Sequence, residues 1–215
     1  MEMMPYTVAH TQESIVTIAS DAGAVNWRAT VPTLLNQDVR LRELRVSDAP
    51  SLLSMLTTEE VVRFISPPPT TIESFRHFIE WSHRQREAGR YVCFGIVPEG
   101  YDVAVGIFQL QMSEEPTAEW GFALGSPFWG TGVFVEGAEA MLDFAFQGIG
   151  LDRLGARAAV VNGRGNGALR KLGAVREHVI PDGLVRNGRY LDQQYWTICP
   201  EDRPQRKVIW DVRSH

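Results

Sequence analysis

Apolar residues along this chain recur at two spacings, and the switches between them lay out an order of elements. Residues 38–46 read as a strand, after which Ser47 and Asp48 offer an N-cap to a short helix with Leu52, Leu53 and Leu56 on one face. Pro67, Pro68 and Pro69 interrupt the chain, and Thr70 with Glu73 then forms a capping-box signature. The helix it opens carries Phe75, Phe78, Ile79 and Ser82 on one side and ends at Gly89. Three strand-like runs follow at 91–97, 103–112 and 117–124, joined by Pro98-Glu99-Gly100 and Glu114-Glu115-Pro116, which predicts an antiparallel meander. Beyond it, Phe134, Ala138, Met141, Leu142 and Ala145 line one side of a helix and Glu136, Glu139 and Asp143 the other. A strand over 153–161, a glycine-rich turn, a short helix ending at Gly173 and a strand pair turned by Asn187-Gly188 complete the pattern. Residues 1–37 follow neither period and read as an N-terminal extension, with Trp27 and the 31–35 stretch docking on the domain; 201–215 reads as a C-terminal tail.

Composition narrows the function classes. A chain of 215 residues, 44% hydrophobic and 22% charged, can bury one sizeable core, here assigned to 38–200. A net charge of -5 gives no basic field for nucleic acid or an anionic membrane, and mildly favours cationic substrates. Only Cys93 and Cys199 are present, without metal or redox spacing, and no apolar run is long enough to span a bilayer, so a cytoplasmic protein is expected. His10, His77, His83, His178 and His215 are scattered, which argues against a metal site, and Ser126 lacks the glycine-flanked elbow of a hydrolase nucleophile.

The most informative stretch is 125–133, a glycine-containing turn between a strand and the long helix. Bare backbone at Gly130 and Gly132 can approach a pyrophosphate, and the free N–H groups of the helix start add the positive end of its dipole. A second match, Gly163, Gly165 and Ala168, has the spacing of a dinucleotide-binding turn, but its helix is only about two turns long and the chain lacks repeated strand-helix alternation.

The order Trp129-Gly130-Thr131-Gly132, then Asn162, then Lys171-Leu172-Gly173, with a late Asp192, resembles the GNAT superfamily of N-acetyltransferases. The likeness is to its ribosomal-protein (RimJ/RimL-like) branch and covers roughly 38–200. The resemblance implies an α+β fold: a mixed, mostly antiparallel sheet of about seven strands, flanked by about four helices and splayed to form a cofactor cleft. It implies acetyl-CoA as cosubstrate, with Trp129, Gly130, Thr131, Gly132 and Val133 on the pyrophosphate and Phe122, Ala123 and Leu124 along the pantetheine arm. Beside them Asn162 and Asn166 read as cofactor contacts through their amides, Asn166 alternatively as a turn cap, and Arg164 with Arg170 as contacts to the cofactor phosphates or a solvated surface.

Along 118–124, Trp120, Phe122 and Leu124 alternate with Glu119, Gly121 and Ala123, so Glu119 shares a strand face with two small residues. It reads as the general base for an attacking amine, or as a solvated glutamate on a half-exposed strand. The family often places a serine three residues beyond its asparagine, or a tyrosine nearby, to protonate the leaving thiolate; here that serine position is Gly165. Tyr190 and Tyr195 are more distant hydroxyls, and His178 is a second candidate base. The expected function is acetyl transfer to a primary amine, a protein N-terminus or a small molecule, by direct attack in a ternary complex. The alternative is a non-catalytic acyl-CoA-binding sensor with the same fold. A homodimer is the default assembly.

Overall fold

The meander expected over 91–124 forms the middle of the molecule. In the computed structural model, which describes residues 26–203 and 210–211, β3 (Tyr91–Pro98), β4 (Gly106–Met112) and β5 (Thr117–Leu124) pair antiparallel. On one side β2 (Val39–Glu43) and β1 (Thr33–Asn36) continue the antiparallel pairing, and the short β9 (Trp210–Asp211) joins β1. On the other side β6 (Arg153–Ala159) runs parallel to β5, followed by β8 (Arg189–Ile198) and β7 (Val175–Arg186). The described residues thus form one mixed, mostly antiparallel sheet ordered β7-β8-β6-β5-β4-β3-β2-β1-β9. It has nine strands where about seven were expected. β1, in the stretch expected to dock, and β9, in the tail, are short and aperiodic, so pairing with the existing edge defines them rather than any pattern of their own.

Alternation along β3 divides the core. Val92, Phe94 and Ile96 pack with Phe108, Trp120, Ala138, Met141 and Phe144 on one face, where α4 (Val133–Asp143), its π-helical continuation Phe144–Ile149 and α5 (Gly163–Lys171) lie. Tyr91, Cys93 and Val97 pack with Leu52, Leu56, Phe75 and Ile79 on the other, from α1 (Ala49–Leu56) and α3 (Ile72–Glu87). The single-turn α2 (Glu59–Val62) lies between them in the chain and brings the α-helices among the described residues to five, against about four expected. None among the described residues is long and apolar enough to cross a membrane.

Several local expectations change. The cap of α3 is Thr71, not Thr70: its hydroxyl accepts from Ser74 N–H at 3.1 Å. Asp48 makes no side-chain cap to α1. Its buried carboxylate instead accepts from the two terminal Arg42 nitrogens, Nη1 and Nη2, at 2.8 and 2.9 Å and from the amides of Arg45 and Ala104. Asp143, assigned to the polar face of α4, is buried and meets the Arg203 guanidinium at 2.9 Å. The β7–β8 turn forms as expected, with Asn187 and Gly188 at φ 48° and 71°. Pro181 sits in a bulge of β7, tolerated because β7 is an edge strand, and Asp192 Oδ1 accepts from Asp182 N–H at 3.0 Å to hold it.

Candidate active site

The parallel ladder between β5 and β6 has only four rungs, from Thr117↔Arg153 to Trp120↔Ala156. Beyond Trp120 the strands diverge, so 121–124 pair with β4 on one side and with no strand on the other. Gly125 N–H donates to Val105 O at 2.9 Å, and hydrogen-bonded rungs alternate in an antiparallel pair. The N–H and C=O of Phe122 and the N–H of Leu124 therefore face the gap. The Leu124 carbonyl is taken by the Trp129 indole N–H at 2.8 Å.

A cavity of about 890 Å³ fills this gap. Phe122, Ala123, Leu124, Trp129, Gly130, Gly132, Asn162 and Arg164 line it, together with Arg63 and Lys171. Gly130 and Gly132 have φ of 79° and 96°, the left-handed backbone that the turn needs before α4 begins at Val133. This directs the open N–H groups of a helix start towards the cavity, with three cations, Arg63 beside α2 and Arg164 and Lys171 on α5, around it. The Arg164 guanidinium lies 3.8 Å from the centre of the Trp129 ring, which holds it across the cleft. Asn162 Oδ1 accepts from Gly165 N–H at 3.0 Å, capping α5, so its amide nitrogen is the group left for a ligand.

Other sequence-selected residues lie outside the lining. Thr131 donates its hydroxyl to Phe128 O at 2.8 Å and stitches the turn, while Val133 packs towards the core. Asn166 differs from the expected cofactor contact. It is buried, accepts from Trp196 Nε1 at 2.9 Å and donates to the carbonyls of Ala159 and Asn162, both at 2.9 Å, so its amide braces α5 against β6 and β8. At Gly165 a Cβ would meet the side-chain amide of Asn162 as it stands in the cap.

Glu119 stands one rung before the ladder ends, on the face it shares with Gly121 and Ala123. Its Oε2 meets Arg157 Nη2 at 2.9 Å, with both side chains 44% exposed. Arg157 was not singled out in the sequence, nor was its link to Tyr195, its register partner on β8. The Tyr195 hydroxyl lies directly over Gly155, the residue opposite Glu119, where a Cβ would collide with it. His178 stacks on Tyr195 at 5.1 Å, behind it on β7. The signal available for this group was Gly155 itself, since glycine inside a strand marks close approach. Burial raises the thiol pKa of Cys93, which leaves it protonated and inert. Tyr190 is exposed on the distal hairpin.

An interrupted parallel ladder, a cavity along the freed strand edge and a glycine turn opening a helix at its head define an acyl-CoA-using transferase. The sequence profile of the acetyltransferase (GNAT) domain matches residues 38–175. The chain belongs to this family, and its cosubstrate is acetyl-CoA. It is 26% identical over 173 residues to the uncharacterized N-acetyltransferase p20 of Bacillus licheniformis, covering 79% of this chain and 97% of that protein. Among solved structures it resembles Mycobacterium smegmatis RimJ in complex with CoA-disulfide, with TM-score 0.70, 20% identity and coverage of 81% and 88%. It also resembles the ribosomal-protein-S5-alanine acetyltransferase of Vibrio fischeri, with TM-score 0.71, 16% identity and coverage of 80% and 99%.

Proposed function

We propose that the protein acetylates a primary amine, a protein N-terminus or a small molecule, by direct attack on acetyl-CoA bound in the β5–β6 gap. The observation that carries this is the free β5 edge beside the cavity. The pantetheine amides pair there with Phe122 and Leu124, and the pyrophosphate lies on the turn through Gly130 and Gly132 with Arg164 and Asn162 alongside. That path points the thioester towards the end of the ladder, where Glu119 stands on the rung before the last. The amine arrives as an ammonium and gives a proton to Glu119, directly or through a water; its nitrogen then forms the bond to the acetyl carbon and releases its second proton to solvent as the tetrahedral adduct collapses. As the carbon–sulfur bond breaks, the thiolate takes a proton from Tyr195, whose hydroxyl lies over Gly155, the residue opposite Glu119. Tyr195 regains a proton from Glu119 through solvent.

Residues 38–200 carry this activity, with β1 extending the sheet, and the free thiols Cys93 and Cys199 fit a cytoplasmic protein. The test pairs calorimetry of acetyl-CoA binding with mass spectrometry over a panel of amines. Wild type should bind and transfer, and Gly132→Glu should lose binding, because its φ of 96° strains any side chain and the new carboxylate would stand where the pyrophosphate lies. Unchanged affinity in that variant would move the cofactor elsewhere. Binding without turnover across the panel would favour a sensor.

A further inference from the structure

We propose that the acceptor is a small zwitterion, an amine with a carboxylate one or two carbons away as in a free α-amino acid, bound with its ammonium on Glu119 and its carboxylate on Arg157. The inference rests on the acetyl-transfer reading above and adds Arg157 as the residue that determines acceptor specificity.

Glu119 and Arg157 project from neighbouring strands onto one sheet face, at the point where those strands part. The helices α1 and α3 cover the β3 end of that face, and the pair at its β5–β6 end stays 44% exposed on both sides. An exposed pair of long side chains separates at little cost. In the free protein, however, Arg157 holds the carboxylate that must receive the ammonium. A simple amine would enter as a second cation beside a single carboxylate, and the guanidinium would repel it. A zwitterion brings its own anion. Arg157 then exchanges the Glu119 carboxylate for the substrate's, for which its planar fork is suited, and Glu119 is released to the ammonium with the site's charge balanced throughout.

The surroundings limit the size of that head group. Tyr91 donates its hydroxyl to Gln109 Oε1 at 2.6 Å, and this fixes the Gln109 amide over Gly121 on one side. The Tyr195 hydroxyl covers Gly155 on the other. Between these two walls lies the pair of opposite charges. During transfer the substrate carboxylate is unchanged, and acetylation removes only the ammonium charge. The product is an N-acetylated acid that no longer attracts Glu119, so Arg157 can return to it and favour release.

The experiment uses the full chain with acetyl-CoA and three sets of probes at equal concentration: the twenty free L-amino acids, the same amino acids as carboxamides, and a hexapeptide with a free alanine N-terminus. Acetylated products are quantified by mass spectrometry. The free acids should exceed the amides and the peptide by about tenfold or more in kcat/KM. Arg157→Gln should bring acids and amides near parity by raising KM for the acids, with acetyl-CoA affinity retained in calorimetry as a check on folding; Arg157→Lys should fall between. Preference for the amides or the peptide overturns the proposal. So does an equal loss on acids and amides in Arg157→Gln, or no product from any probe despite acetyl-CoA binding. Failure of acetyl-CoA to bind would sink the acetyl-transfer reading and this inference with it.

Discussion

A methyl group added at position 155 would run into the Tyr195 hydroxyl. Gly155→Ala should therefore push that ring off the floor of the site while leaving the cofactor turn untouched. Turnover should drop to nearly the level of Tyr195→Phe with acetyl-CoA affinity unchanged, as read by steady-state kinetics beside calorimetry; a silent Gly155→Ala would remove Tyr195 from the chemistry. Glu119 is tested by a change of the same size. Glu119→Gln keeps the shape and should lower turnover roughly a hundredfold at neutral pH. The deficit should close as pH rises towards the acceptor's own pKa, because solution then supplies neutral amine. A mutant that follows wild type at every pH would return Glu119 to a surface role. The cavity-lining stretch from Phe122 to Gly132 was legible in the sequence because the glycine turn and the alternation of β5 are local patterns, whereas Thr131, Val133 and Asn166 lie outside that lining. Arg157 and Tyr195 were not legible, because they meet Glu119 only through the pairing of β6 with β5 and of β8 with β6.

Among the elements, β2 and α1 are joined by one buried carboxylate. Burial works to raise the Asp48 pKa, but the Arg42 hydrogen bonds, the amides of Arg45 and Ala104 and the Arg42 charge outweigh it and hold the pKa below its ordinary 3.8. Because the folded value lies below the unfolded one, the stabilisation is complete above 3.8 and is lost as pH falls from there through the folded pKa. Asp48→Asn should cost roughly 3–5 kcal/mol at neutral pH by leaving Arg42 buried without its counter-charge. Denaturant titrations should show that gap narrowing as pH falls through this acid window; a constant gap would mean that the carboxylate's charge contributes nothing. The sequence predicts Asp48 as a helix cap because aspartate before an apolar period usually is one. Its actual partners, Arg42 and Ala104, come from other segments, and no spacing in the chain announces them. The opposite case is β5, whose span of Thr117–Leu124 matches the sequence reading, since a proline loop, strict alternation and a glycine mark it from both sides.

For the whole molecule, the order of elements along the chain and the central meander followed from pattern, whereas the placing of β6 beside β5 and the added edge strands β1 and β9 are defined by pairing between distant segments. The four-rung ladder between β5 and β6 has a mechanical consequence. Along the gap no backbone bonds tie the half-sheet that ends at β5 to the half made by β6, β8 and β7, so the two halves resemble the leaves of a hinge pinned at one end. A pantetheine chain laid in the gap is in effect a borrowed strand, and acetyl-CoA should stiffen the fold as well as feed the reaction. Hydrogen exchange at the amides of Phe122 and Leu124 should slow by at least tenfold on saturation with CoA, while amides of β3 should barely change. Equal protection throughout would mean that the cofactor clamps the protein globally, and none would mean that the hinge is already shut.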